Sequence, residues 1–223
     1  IITSLSNFAF MLILVSGEEA KGKRIRIDFD GVYMNATVYV NGKEVGTHPY
    51  GYTPFSFDIT DYISYDKENT IAVKVDHQTP SSRWYSGSGI YRSVNLTVTD
   101  AVNVALNGTK VETPELATNK TTVKTTVKTT VENDGKEAKD VVLTHKVFEK
   151  GKPESVIGTK TTEKTTVQSN GKVDINAEFT VSNPKLWDIE NPNLYTVRTE
   201  VKVGDKVVDT YDTEYGFRYT EFN

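Results

Sequence analysis

The sequence predicts an all-β protein built as two successive antiparallel β-sandwiches. Three observations predict it. Apolar and polar residues alternate at period two through much of the chain, as in Arg24-Ile-Arg-Ile-Asp-Phe-Asp30 and Val173-Asp-Ile-Asn-Ala-Glu-Phe-Thr-Val181. Turn signals interrupt these runs at short intervals, among them Asn41-Gly42, Asn133-Asp-Gly135 and Gly204-Asp205. Few segments carry the 3.6 periodicity of an amphipathic helix, so sheet must pack on sheet.

Composition narrows the function classes. The 223 residues are 37% hydrophobic and 25% charged, which suits a soluble globular chain with room for two cores. The 26 basic and 30 acidic residues are spread over both halves, for a net charge of −4. No basic patch offers the phosphate neutralisation that nucleic-acid affinity needs, so no nucleic-acid partner is expected. The absence of cysteine excludes disulfides, thiolate zinc sites and cysteine nucleophiles. His48, His77 and His145 stand far apart, without metal-ligand spacing. Neither a metal nor a cofactor is expected. The compartment stays open: cytoplasmic, periplasmic and secreted locations all fit.

In chain order, Phe8–Val15 is a run of eight apolar residues, too short to span a bilayer and β-branched enough to be a buried strand. No membrane partner is expected. Arg24–Asp30 is a strand with one buried face. Ala36–Val40 and Lys43–His48 form a hairpin about Asn41-Gly42, because both turn residues tolerate positive φ. Phe55 and Phe57 share a face. Asp58–Ile63 reads as one short helical turn capped by Asp58 or Thr60. Asp66–Asn69 reads as a polar turn before the strand Ile71–Asp76.

Ser81-Ser-Arg-Trp-Tyr-Ser-Gly-Ser-Gly-Ile-Tyr-Arg92 follows that strand and precedes another, Ser93–Val98. A loop this rich in aromatic and guanidinium groups, held between strands, is one way a β scaffold presents a binding surface. The alternative is that Trp84 and Tyr91 plug the end of a β core. Both alternatives stand at the level of sequence.

Near residue 100 the aromatics thin out and threonine, valine and lysine take over. We place a domain boundary there, giving domains 1–99 and 100–223. Lys120-Thr-Thr-Val-Lys-Thr-Thr-Val-Lys-Thr-Thr-Val131 repeats with period four, yet threonine and valine favour strands. As a strand it puts Val123, Thr125, Val127, Thr129 and Val131 on one face and Lys124 and Lys128 in water; the rival is a low-complexity linker. Strands over Val141–Phe148, Thr165–Val167 and Val173–Val181, then a hairpin from Leu194 to Tyr215, follow. About seven short strands in ~120 residues describe an immunoglobulin-like sandwich.

Four stretches together resemble glycoside hydrolase family 2, most closely its bacterial β-galactosidases. They are Asp30–Gly42, His48–Asp58, Ser82–Arg92, and Pro184-Lys-Leu-Trp-Asp-Ile-Glu-Asn-Pro-Asn-Leu-Tyr195 with Tyr215-Gly-Phe-Arg218. The resemblance covers roughly residues 17 to 223. It implies a jelly-roll sugar-binding domain, then an immunoglobulin-like domain, then a catalytic (β/α)8 barrel in cis that supplies two glutamates for retaining hydrolysis of terminal β-glycosides. That chemistry needs carboxyl groups only ~5 Å apart. The chain ends where the barrel is expected to begin, so no catalytic residue is assigned. Asp188 and Glu190 read as solvating a turn.

The resemblance further implies a β-galactoside-like carbohydrate as ligand of the full enzyme. Arg83 and Tyr85 are the candidate substrate-binding residues, because guanidinium and phenol groups bond sugar hydroxyls and aromatic faces stack on sugar rings. Trp84 and Tyr91 are the candidate loop anchors. Some family members place an aspartate where Ser82 stands, so no carboxylate contact carries over. His77 reads as a polar surface residue, Arg92 as a structural bridge, and Trp187, Tyr195 and Arg218 as packing and docking residues. Phe8–Val15 does not resemble the family's opening strand. The alternatives are a truncated jelly roll, a divergent replacement of its first strands, or an error in the reading of the sequence; if strands are missing, an exposed apolar edge would favour a homo-oligomer. The competing function is a free-standing carbohydrate-binding or adhesion module.

Overall fold

The structure, a computed structural model, describes residues 6–15 (backbone only), 20–65, 67–77 and 87–221. It divides into two compact units, Ile1–Thr99 and Asp100–Asn223. Among the described residues the regular elements are strands, with a 3-10 turn at Thr60–Tyr62.

The first unit contains β1 (Ser6–Val15), β2 (Arg24–Phe29), β3 (Val32–Tyr33), β4 (Ala36–Val40), β5 (Lys43–His48), β6 (Phe55–Asp58), β7 (Lys67–Asp76), β8 (Gly89–Ile90) and β9 (Val94–Thr99). One antiparallel sheet has the order β1-β7-β4-β5, a second β6-β2-β9, and β3 pairs with β8. Period-two alternation turns Ile25, Ile27 and Phe29 of β2 inward to meet Val38 and Val40 of β4 and Ile71, Val73 and Val75 of β7. Two sheets therefore share one apolar core, which makes this unit a β-sandwich. At the hairpin tip Asn41 and Gly42 adopt φ of 51° and 78°, the left-handed pair that matches strand twist.

Two local expectations change. The strand before the loop begins at Lys67 rather than Ile71, because Asn69 is fully buried and bonds the backbone instead of turning in water. Its side chain accepts from Ser64 N (2.7 Å) and Asn41 Nδ2 (2.7 Å) and donates to Ser64 O (2.9 Å). The helical turn is 3-10 with Ile59 at its N-cap position, and Asp58, one residue earlier, accepts from Thr60 N at 2.9 Å.

The second unit contains β10 (Val102–Glu112), β11 (Thr122–Asn133), β12 (Lys139–Glu149), β13 (Val156–Thr161), β14 (Thr165–Val167), β15 (Gly171–Ser182), β16 (Tyr195–Val203) and β17 (Lys206–Tyr215). The sheet β10-β11-β15 faces the sheet β13-β12-β16-β17, with β14 also pairing to β12. The Lys-Thr-Thr-Val repeat is the central strand β11, with Val123, Thr125, Val127, Thr129 and Val131 all buried. Lys124 and Lys128 turn outward to Glu178 (3.1 Å) and Asp174 (2.6 Å) of β15. The linker alternative is thereby excluded. Strands β10 and β13 escaped the sequence reading, since a bulge between Val104 and Thr109 and the mostly exposed face of β13 break their alternation.

Two apolar clusters fill this sandwich, one around Leu143 and Val201, the other around Val147 and Val197. Between them, on β12 and β16, lie His145 and Thr199, both fully buried, with His145 Nδ1 3.0 Å from Thr199 Oγ1. Burial pushes the His145 imidazole down from 6.5 to about 4, so it is neutral at pH 7.

Candidate functional site

The aromatic loop grows out of β7 and returns through β8. Its described feet are both pinned to the segment Val32–Asn35. At the entry, Asn35 Nδ2 donates to Asp76 O (3.0 Å), and Asp76 N donates to Asn35 O (3.4 Å). Asn35 reaches this position at φ 48°, a left-handed conformation that asparagine tolerates better than most residues. At the exit, Tyr33 pairs with Gly89 and Val32 with Ile90. Across the neck, His77 Nδ1 lies 2.9 Å from Ser88 Oγ. The His77 ring meets Tyr33 edge-on at 5.4 Å. Arg83, Trp84 and Tyr85 lie outside the described residues.

Tyr91, the remaining candidate, is 47% exposed, and its hydroxyl donates to Gly51 O at 2.8 Å. The Arg92 guanidinium sits over its ring at 5.2 Å. Two glycines make room for this arrangement. A Cβ on Gly31 would stand 2.8 Å from Tyr91 Cζ, and one on Gly51 would stand 2.2 Å from Tyr33 Cδ2. Gly51 is thus held between the Tyr33 ring and the Tyr91 hydroxyl.

On either side of Gly51 the side chains point outward. Tyr50 is 57% and Tyr52 51% exposed. Their rings meet edge-on at 5.7 Å, and Tyr52 meets Tyr33 at 5.3 Å. Desolvation, then the neighbouring Tyr33 with its hydrogen bond, holds the Tyr52 phenol above the usual tyrosine range. Upstream of Tyr50, Pro49 borders an open cleft of about 300 Å³ that is also lined by Asn35, His48, Lys74 and Asp76. The arrangement offers aromatic faces, hydroxyls and mixed charges, which suit a neutral polyhydroxylated ligand. Among the described residues no three His, Asp, Glu or Cys side chains converge as metal ligands.

The second unit has its own built corner. Trp187 N donates to Phe217 O (2.9 Å), the Arg218 guanidinium lies 5.2 Å from the Trp187 ring, and Tyr195 packs edge-on to Phe217 at 5.1 Å. A cleft of about 370 Å³ opens here between Trp187, Leu194, Glu214, Tyr215, Gly216 and Arg218. The adjoining loop is closed by Asp188 Oδ1, which accepts from Glu190 N (2.9 Å) and Asn191 N (2.6 Å). Asp188 is a turn-forming carboxylate.

Comparison with known proteins matches both units. The sugar-binding domain of glycosyl hydrolases family 2 matches residues 7–100, and a second domain of the same family matches residues 104–218, more than half the chain. The chain belongs to glycosyl hydrolase family 2. The family match takes in β1, which pairs with β7 from Ser6↔Asp76 to Val15↔Lys67.

Among family 2 relatives, the chain is 37% identical over 198 residues to the β-galactosidase BoGH2A of Bacteroides ovatus, covering 88% of this chain and 23% of that protein. It is 36% identical over 197 residues to a putative β-glucuronidase of Formosa agariphila, covering 88% of this chain and 18% of that one. A crystal structure of a family 2 member from Bacteroides cellulosilyticus superposes with a TM-score of 0.89 at 34% identity, over 96% of this chain and 29% of that chain. The chain spans about a fifth to a quarter of the relatives it matches and corresponds to an N-terminal part of them.

The loop's clamps were missed in the sequence because they join residues 11 to 41 positions apart. The available signals were weak: an asparagine ahead of β4, and a glycine between two tyrosines.

Proposed function

We propose that this chain is the sugar-facing, non-catalytic part of a retaining family 2 glycoside hydrolase acting on terminal β-glycosides, with β-galactosides as the favoured substrate class. Residues 1–99 are a jelly-roll sugar-binding domain and residues 100–223 an immunoglobulin-like domain. A (β/α)8 barrel in cis supplies the acid/base and nucleophile carboxylates, whose close spacing the mechanism requires. The stretch Ser81–Arg92 faces the substrate pocket of that barrel. Arg83 and Tyr85 contact sugar hydroxyls there, while Trp84 and Tyr91 hold the loop on the sandwich. The Trp187–Arg218 corner docks the barrel.

One observation carries this assignment. The chain aligns over most of its length with a β-galactosidase yet covers 23% of it, and its described residues are strands without a barrel. The test is a chimera in which residues 1–223 replace the matching part of the Bacteroides ovatus β-galactosidase. The chimera is expected to hydrolyse p-nitrophenyl β-galactoside, and Arg83→Ala to raise its KM. The chain alone is expected to hydrolyse nothing. Hydrolysis by the chain alone, or a folded chimera without activity, would overturn the assignment.

A further inference from the structure

We propose that Tyr50 and Tyr52 form a second carbohydrate contact, an aromatic platform that takes one pyranose ring of a β-linked saccharide beside the loop neck. The inference rests on the sugar-handling assignment above and adds residues that the loop does not contain.

The platform is presented to solvent and built in place. Tyr50 and Tyr52 are each more than half exposed, and with Tyr91 they are the most exposed large apolar side chains described in the first unit. The sandwich does not need these two rings for its core, which is closed by Ile25, Ile27, Phe29 and the valines of β4 and β7. Their backbone is nevertheless fixed on two sides at Gly51, by the Tyr33 ring and by the Tyr91 hydroxyl at 2.8 Å. Next to them, His48 Nε2 lies 3.0 Å from Thr53 Oγ1 and its ring stacks on Phe55 at 4.4 Å. Ring positions held before the ligand arrives lower the ordering cost of binding.

The chemistry of the surface selects the ligand. A pyranose has a face of C–H groups that packs on an aromatic ring and a rim of hydroxyls that needs polar partners. The tyrosines supply the ring faces and phenol groups. Pro49 carries the same segment into the cleft bordered by Asn35, His48, Lys74 and Asp76, whose donors and acceptors suit hydroxyls. The platform presents two aromatic rings beside Pro49 rather than a large aliphatic anchor such as Ile189 of the second unit, which is 91% exposed. A protein-docking surface typically presents apolar anchors that fill pockets on the partner. The sugar-binding domain match, residues 7–100, encloses the whole platform.

Saturation-transfer NMR of the 223-residue chain with lactose and with cellobiose tests this. Saturation transfer to at least one of them is expected, with affinity falling about tenfold or more in Tyr50→Ala/Tyr52→Ala. Tyr50→Phe/Tyr52→Phe keeps the ring faces and should stay within about threefold of the parent. If the double alanine variant fails to fold by circular dichroism, Tyr50→Ala alone serves, since that ring is 57% exposed. No transfer to either sugar, or unchanged affinity in the alanine variant, overturns the platform and leaves the chimera result untouched. In the sugar-free chimera, protection of both tyrosines from nitration would show that the catalytic region covers them, and that also overturns it. An inactive chimera overturns the assignment above while lactose binding by the chain is read separately.

Discussion

His77 Nδ1 and the Ser88 hydroxyl stand 2.9 Å apart across the neck of the aromatic loop. This bond ties the end of β7 to the start of β8, and the His77 ring rests against Tyr33. The contact joins the two feet of the segment that carries Arg83, Trp84 and Tyr85.

Ser88→Ala removes that bond at little cost to the sandwich. A hydrogen bond in a half-exposed position contributes about 1 kcal/mol. The expected outcome is faster amide exchange at Gly89 and Ile90 with exchange at Ile71, Val73 and Val75 unchanged. Unchanged exchange at Gly89 would show that β3 alone holds the loop exit.

Gly51→Ala forces a methyl group to 2.2 Å from Tyr33 Cδ2. The Tyr33 ring or the Tyr50–Tyr52 backbone must then shift, at about 1–3 kcal/mol. Urea unfolding of the first unit reads this directly. Trp84 and Trp187 fall one in each unit, so a Trp187→Phe background leaves fluorescence that reports on the first unit. A midpoint equal to the parent's would show that the ring yields freely.

The second unit loses stability in mild acid through His145. Its folded pKa is depressed from 6.5 to about 4, so between these values the unfolded chain binds the extra proton. Stability therefore falls as pH drops from 6.5 to 4, by about 3 kcal/mol at most, and this contribution levels off below 4. The carboxylates whose pKa is lowered, such as Asp174 and Glu149, act in a lower window, below their ordinary values of 3.8 and 4.5. Urea midpoints at pH 7, 6 and 5 should decline in the parent and stay nearly level in His145→Leu. An equal decline in both would sink the assignment to His145.

Val127 and Lys128 are neighbours in the repeat with opposite consequences. Val127 is buried in the apolar cluster around Val147, and Val127→Ala should cost about 2 kcal/mol from lost burial and the cavity left behind. Lys128 pairs with Asp174 at 2.6 Å, but both side chains are 47% exposed. Lys128→Ala should cost less than about 1 kcal/mol. Thermal unfolding of the two variants checks the contrast, and similar losses would mean that β11 is not a half-buried strand.

The family was legible only through four motifs that resemble it. The period-two pattern and the turn residues were enough to determine the all-β class, the Asn41-Gly42 hairpin and the inward faces of β2, β4, β7 and β11. Each follows from neighbours along the chain, because alternation decides which side chains leave water and turn residues decide where strands end. Where alternation fails, as in the bulged β10 and the exposed β13, the strands were invisible. The site belongs to tertiary structure. Asn35 meets Asp76, Gly51 meets Tyr33 and Tyr91, and His77 meets Ser88 only after the sheets have paired. Backbone hydrogen bonding and close packing choose those partners across tens of residues, and no local pattern along the chain encodes them.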